Sequence, residues 1–334
     1  MTIKDIAKEA GYSVGTVSRV LNGSENVSEE AKRIIMEVVE KHQFQPNNNA
    51  KLLKQQSSQG IAIIIKGAQN MLFAALLEQL QVLIEKHGYA SMMFYIEEDD
   101  NEVQVAYQVC QERRPLGILF LGTNREYFKE DFRRITVPCV MVTNSAEGVE
   151  MENLSWVTTD DKAAAKTAVE YLFSLGHEDI GVLGGNVEKS YTSFCRLMGV
   201  KEAFEEHGKV FDKERQYAQA YFSISEGYRA MEKLLEKMPE VTAVFAMADV
   251  MAIGAIRAIY DRGMRVPEDI SIIGFDGIDI GRYMMPRLTT IRQHREVIAT
   301  RSVEALLGCI EGHAQNVHVV EAFHLVPGES VRIK

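Results

Sequence analysis

The chain has 334 residues, 46% hydrophobic and 25% charged, the proportions of an ordinary globular protein, which excludes a disordered or fibrous chain. No apolar run approaches the roughly 18 residues that cross a bilayer, and residues 1–10 lack a signal peptide's apolar stretch. A cytoplasmic protein of two or three domains is expected, with no membrane partner.

The net charge of −10 conceals a split. Residues 1–58 hold eight basic and seven acidic side chains, and the remainder 29 basic and 40 acidic. This permits a DNA-facing head on an acidic body without demanding one. Cys110, Cys139, Cys195 and Cys309 show no CxxC or metal-like spacing and read as buried thiols of a reducing compartment. The eight histidines are not clustered like ligands, with His313 and His318 near an expected loop, so neither metal nor cofactor is expected.

The first fifty residues predict three short helices. Thr2 and Asp5 form a capping box ahead of Ile3, Ile6, Ala7 and Ala10. Ala10-Gly11-Tyr12 makes a turn, Ser13 caps a second helix over 14–21, and Asn22-Gly23-Ser24 ends it. Ser28 caps a third, whose Ala31, Ile34, Ile35, Val38 and Val39 form one apolar stripe ending near His42. Val17, Val20, Leu21 and Phe44 can close a shared core. Residues 50–55 make one short helical stretch, too short to stand alone in water, and 55–59 read as a linker.

From Gly60 short β-rich runs alternate with amphipathic stretches such as 72–87 and 103–113. The runs are 61–66, 91–96, 117–121 and 139–143, then 180–184, 216–220, 243–247 and 271–275. Such alternation predicts parallel, doubly wound sheets with helices on both faces, in two lobes with a ligand cleft beyond the strand ends.

The helix, Gly-bearing turn and helix of residues 3–23 fit a helix-turn-helix, or else a small packing module with a solvated face. In the first case Val14, Gly15, Ser18 and Arg19 face the major groove. Arg19 can then pair with guanine, and Thr16, Ser18 or Asn22 can hold phosphates. No HExxH, GxSxG or P-loop pattern is present, so no enzyme is expected. Asp160-Asp161 suits a helix N-terminus, and Asp249 is expected to cap a helix over 250–262.

TIKDIAKEAGYSVGTVSRVLNGSENVSEEAKRII followed by FQPNNNAKLLK resembles the DNA-binding head and hinge of the lactose-repressor (LacI/GalR) family. So, in order, do LGHEDIGVLGG, AVFAMADVMAIGAIRAI, RVPEDISIIGFDG and LTTIRQ. The resemblance implies a head over 1–46, a hinge over 47–59 and a type I periplasmic-binding-protein-like body over 60–334. Lobe one would take about 60–159 and 291–320, lobe two about 160–290 and 321–334.

It further implies a homodimer on palindromic operator DNA, with Ser13, Asn26 and Asn47 among the DNA contacts. Ala50 would allow close hinge pairing, Leu53 would wedge a central base step and Lys54 line the minor groove. Gly15 and Val14 depart from the family pattern, since neither side chain hydrogen-bonds, which shifts sequence choice towards Arg19, the hinge and DNA deformability.

In the body, Arg196 and Asp276 match the pair that grips sugar hydroxyls. Phe222 matches a stacking ring beside Tyr221, Gln293 a second-lobe amide and Phe73 a wall aromatic, with Tyr191 also in the implied pocket. Taken alone, Asp276 also reads as a strand-end turn residue, Phe222 as core and Gln293 as a hinge hydrogen bond. Thr143-Asn144 and Ala248 replace common polar grips, which alters the accepted hydroxyl pattern or replaces a sugar with another small molecule. The implied function is a repressor of carbohydrate-utilisation genes released by a sugar-like effector, the alternatives being a corepressor-dependent regulator or a solute-receptor body. The sequence carries no leucine-rich heptad tail, which favours a dimer.

Overall fold

The computed structural model describes residues 3–21, 27–42, 60–67 and 69–334. They fall into two compact units, 1–58 and 59–334. In the first unit, α1 (Ile3–Ala10), α2 (Val14–Leu21) and α3 (Glu29–Lys41) close over Ile6, Ala7, Ala10, Val17, Val20, Ile35 and Val39. Leu21 is only partly buried. Gly11 ends α1 at φ +73°, a conformation few side chains adopt, and this sets the tight turn into α2. The Ser13 hydroxyl accepts from the Thr16 N–H at 3.1 Å and that of Ser28 from Ala31 at 3.4 Å, so both caps form as the sequence suggests. Lys41 and His42 reach back to Glu9 at 2.8 and 2.9 Å, pinning the end of α3 to α1. Thr2, Phe44, the linker and the hinge lie outside the described residues.

The second unit contains two six-stranded sheets. The first has the order β11-β5-β4-β3-β1-β2 and is parallel throughout. Its strands are β1 (Gly60–Lys66), β2 (Ala90–Ile96), β3 (Gly117–Leu121), β4 (Cys139–Val142), β5 (Leu154–Thr159) and β11 (His318–Glu321). Between them lie α4 (Met71–Lys86), α5 (Glu102–Arg113) and α6 (Arg125–Glu130), while α12 (Arg295–Ile310) precedes β11. The run Ile61 to Ile65 is buried along its whole length, as a strand covered by helices on both faces must be. These elements form lobe one.

The second sheet, lobe two, has the order β12-β10-β9-β8-β6-β7, parallel except where β12 pairs antiparallel with β10. It comprises β6 (Ile180–Gly184), β7 (Tyr217–Gln219), β8 (Ala243–Ala246), β9 (Ser271–Asp276), β10 (Thr289–Gln293) and β12 (Phe323–Val326). Its helices are α7 (Asp161–Ser174), α8 (Tyr191–Glu206), the one-turn α9 (Lys213–Gln216), α10 (Ile224–Lys237) and α11 (Asp249–Asp261). Gly227 and Gly254 let α10 and α11 touch backbone to backbone, since a Cβ on either would collide with the facing main chain.

The chain passes between the lobes three times, after β5, β10 and β11. This refines two of the approximate boundaries by one to three residues. Residues 291–293 belong to lobe two, because β10 is hydrogen-bonded to β9 and β12, and lobe one extends to Glu321, because β11 pairs with β5. Gln216 closes α9 rather than opening a strand. His318 begins β11 directly after the loop 311–317 and stacks on Trp156 at 5.0 Å. Of the four free cysteines only Cys139 is fully buried; the others are half-buried. Among the described residues no helix is long and apolar enough to cross a membrane, and no group of three or more side chains has metal-ligand character.

Candidate functional site

A cleft of about 1020 Å³, its open mouth included, runs between the lobes along the C-terminal strand ends. This is where open parallel sheets place ligands, beside the strands at which chain order reverses. Here these are β1, flanked by β2 and β3, and β6, flanked by β7 and β8. Three non-glycine residues have positive φ among those described, and two of them line the cleft: Thr143 at φ +70° and Asp276 at +115°. Backbone strain of this kind persists only where surrounding packing holds it, and it gathers at functional sites.

Lobe two supplies a buried polar network. Arg196, on α8, donates from Nε to Asp161 at 2.8 Å and from Nη1 to the Met247 carbonyl, and its guanidinium lies 3.6 Å from the centre of the Phe275 ring. Burial pushes the Asp161 carboxyl up, against the pull of Arg196. Asp276 ends β9, and its Oδ1 accepts from Gln293 Nε2 at 2.9 Å; Gln293 Oε1 in turn accepts from Thr159 at 3.1 Å, across the first interlobe crossing. Burial drives the Asp276 carboxyl up to about 7, opposed by Arg196 and Gln293. Phe222 packs over Gly185, where a Cβ would strike its ring.

Lobe one contributes loops. Lys66 at the end of β1 pairs with fully buried Glu102 at 2.8 Å and sits 5.2 Å from the centre of the Tyr127 ring. After β2, Glu98 accepts from the Phe222 backbone N–H, and burial raises its carboxyl. Exposed Asp99 accepts from Lys189 Nζ and Tyr221 Oη, each at 3.0 Å. The Asn144 amide donates to Thr192 at 2.8 Å, while its carbonyl oxygen is buried with no partner among the described residues. The Glu98, Asp99 and Asn144 contacts all bridge the lobes.

Of the expected effector residues, Phe73, Thr143, Asn144, Arg196, Phe222, Asp276 and Gln293 line the cleft. Tyr191 and Ala248 do not. The Tyr191 ring is covered by the Arg125 guanidinium at 3.8 Å, and Ala248 is fully buried at the start of α11. Asp249 does not cap that helix through its side chain. Fully buried, it accepts from the Ile278 N–H at 2.8 Å and the Thr290 hydroxyl at 2.6 Å, tying the loop after β9 to β10. Asp160 does cap α7, accepting from the Ala163 N–H at 2.9 Å. Sequence reasoning missed Lys66, Glu98, Asp99, Asn186, Lys189 and Thr192 in the cleft. Lys66 ends a β-rich run and Glu98, Asp99 and Asn186 lie just beyond one, the one signal available, while Lys189 and Thr192 carry none.

In the head, Ser13, Val14, Gly15 and Arg19 are exposed and Thr16 and Ser18 half-buried, while Val17 and Val20 face the core. One face of α2 is thus free to enter a groove with its N-terminal end leading. Asn22, Asn26, Asn47, Ala50, Leu53 and Lys54 lie outside the described residues.

A helix-turn-helix head joined to a two-lobed cleft body defines a class, the single-chain bacterial transcription regulator. Residues 2–47 match the bacterial regulatory proteins of the lacI family, and residues 169–331 match a periplasmic binding protein-like domain. The chain is 35% identical over 335 residues to the HTH-type transcriptional regulator MalR of Clostridium butyricum, covering 99% of each chain. It is 32% identical over 339 residues to the probable HTH-type transcriptional repressor ExuR of Bacillus subtilis (strain 168), covering 99% of this chain and 98% of that one. A solved transcriptional regulator CelR–cellobiose complex matches with TM-score 0.73 at 25% identity over 99% of each chain. The lac repressor dimer bound to operator and the anti-inducer ONPF matches in fold, with TM-score 0.80 at 23% identity over 99% of each chain. The chain belongs to the lacI family of bacterial regulatory proteins and is a DNA-binding transcriptional regulator.

Proposed function

We propose that the protein is a cytoplasmic, non-catalytic repressor of carbohydrate-utilisation genes that binds a palindromic operator as a homodimer. A small polyhydroxylated effector between the lobes releases it. The observation that carries this reading is the cleft, where strand ends from both lobes bring buried hydrogen-bond acceptors together in a chain that also carries a DNA-reading helix. The cellobiose bound in a relative of the same fold supports a glycan effector. Effector binding changes the angle between the lobes, and residues 47–59, with Leu53 as the minor-groove wedge, carry that change to the head. The effector moves this equilibrium only by its differential affinity for the two states.

Selection from randomised duplex DNA by the full-length protein tests the DNA half of this reading. A palindrome is expected to be enriched, and Arg19→Ala to relax one base pair per half-site by about 1–3 kcal/mol. Equal weakening on all sequences reassigns Arg19 to a phosphate. No enrichment contradicts the reading.

A further inference from the structure

The cleft's charges narrow the effector further, an inference that rests on the effector-site reading above. Three basic side chains line the cleft among the described residues, and each is already held by a carboxylate of the chain: Lys66 by Glu102, Arg196 by Asp161, and Lys189 by Asp99. Glu102 is fully buried and Asp161 nearly so, so an incoming anion could free Lys66 or Arg196 only by stranding a carboxylate out of water. Only the Lys189–Asp99 pair, at the exposed mouth, can be exchanged cheaply.

The cleft also holds acceptors, one unpartnered and two carboxylates that each have a partner already. Asn144 Oδ1 is buried and unpartnered among the described residues, and the Asp276 and Glu98 carboxylates each face the cleft. One feature favours an anion: the first turns of α4, α6 and α8 open towards the cleft. Each is closed by its own cap, Asn70 to the Leu72 N–H, Asn124 to Glu126 and Ser190 to Ser193, which weakens that pull. Phe73 and Phe222 add apolar walls for a ring face.

We infer that the cleft selects a polyhydroxylated ligand without a negative charge, its hydroxyls donating to Asp276, Glu98 and Asn144, and that it rejects uronates and sugar phosphates. A carboxylate accepting a hydroxyl makes one of the stronger hydrogen bonds, whereas the same carboxylate opposed to an anion repels it.

The test is calorimetric titration of the full-length protein at pH 8 with matched pairs: glucose against glucuronate and glucose 6-phosphate, galactose against galacturonate, and maltose and cellobiose as the larger neutral members. The expected result is a neutral sugar that binds, with its anionic counterpart at least tenfold weaker. Glu98→Gln, which keeps an acceptor and removes a charge, should narrow that gap at least threefold. An anionic member that binds as tightly as its neutral partner overturns this inference and leaves the cleft as an effector site. Binding by none of the compounds overturns the effector-site reading and this inference with it.

Discussion

The two faces of the cleft are built differently. Lobe two presents Arg196, Asp276 and Gln293 at strand ends and on α8, each no more than 4% exposed, Arg196 hydrogen-bonded to Asp161 and Asp276 to Gln293. Lobe one presents Glu98 and Asp99 from a loop, held across the gap by Lys189, Tyr221 and a backbone N–H. A buried network is fixed when the lobe folds, whereas solvated pairs between lobes open at little cost. Lobe two therefore offers a grip fixed on folding, while lobe one adds acceptors as it closes and screens by charge.

Breaking the grip should have the largest effect. Arg196→Met leaves Asp161 buried without its cation and should destabilise the body by about 3–5 kcal/mol in chemical denaturation. An effect below 1 kcal/mol would mean the network is not the folded anchor described here.

Asp276→Asn separates binding from folding. It keeps the shape, removes the ionised acceptor and should weaken the effector about 10- to 100-fold, or roughly 1.5–3 kcal/mol, in calorimetry. Burial pushes the wild-type carboxyl from its ordinary 3.8 up to about 7 in the folded protein, so the native state binds the extra proton between those values. That contribution to stability is full at low pH and is lost as pH rises through 7. The groups around it are Arg196, Asp161, Gln293 and Asp249. Thermal unfolding of the ligand-free protein from pH 8 to pH 5.5 should show this component gained on acidification and absent in Asp276→Asn. Effector affinity should fall over the same interval as the acceptor is protonated.

The smallest effect is expected at the exposed latch. Asp99→Asn and Lys189→Met should each change effector affinity by less than about threefold and leave the melting temperature of the ligand-free protein unchanged, as solvated pairs do. A tenfold change for either would promote lobe one's mouth from screen to grip and erase the contrast between the lobes.

The same contrast explains what could be read in the sequence. Asp276 stands just past the β-rich run 271–275, where a strand end fixes the address of a side chain, whereas Arg196, inside α8, and Gln293 are indicated by the family resemblance. Glu98, Asp99 and Lys189 look like ordinary loop charges. Their meaning comes from partners such as Lys189, 90 residues from Asp99, which no local pattern reveals. Asp249 misled for a similar reason. Capping is inferred from the next few residues, but its partners Ile278 and Thr290 lie on loops and strands brought up by tertiary folding. Strands β5, β10 and β11 lack a clear β-rich signature because their polar positions blur the buried-strand pattern. The alternation of exposed and half-buried residues in β11 shows this. The head was legible because its caps and turn are set within three or four residues.

On this reading one molecule couples the cleft to the DNA. Fluorescence anisotropy of the full-length protein on its selected palindrome, titrated with the sugar that binds the cleft, tests this most directly. At least a tenfold loss of DNA affinity is expected at saturating sugar, absent in Asp276→Asn. A tenfold gain would keep the coupling and make the sugar a corepressor. DNA affinity unchanged at a sugar concentration that calorimetry shows to be saturating would contradict it.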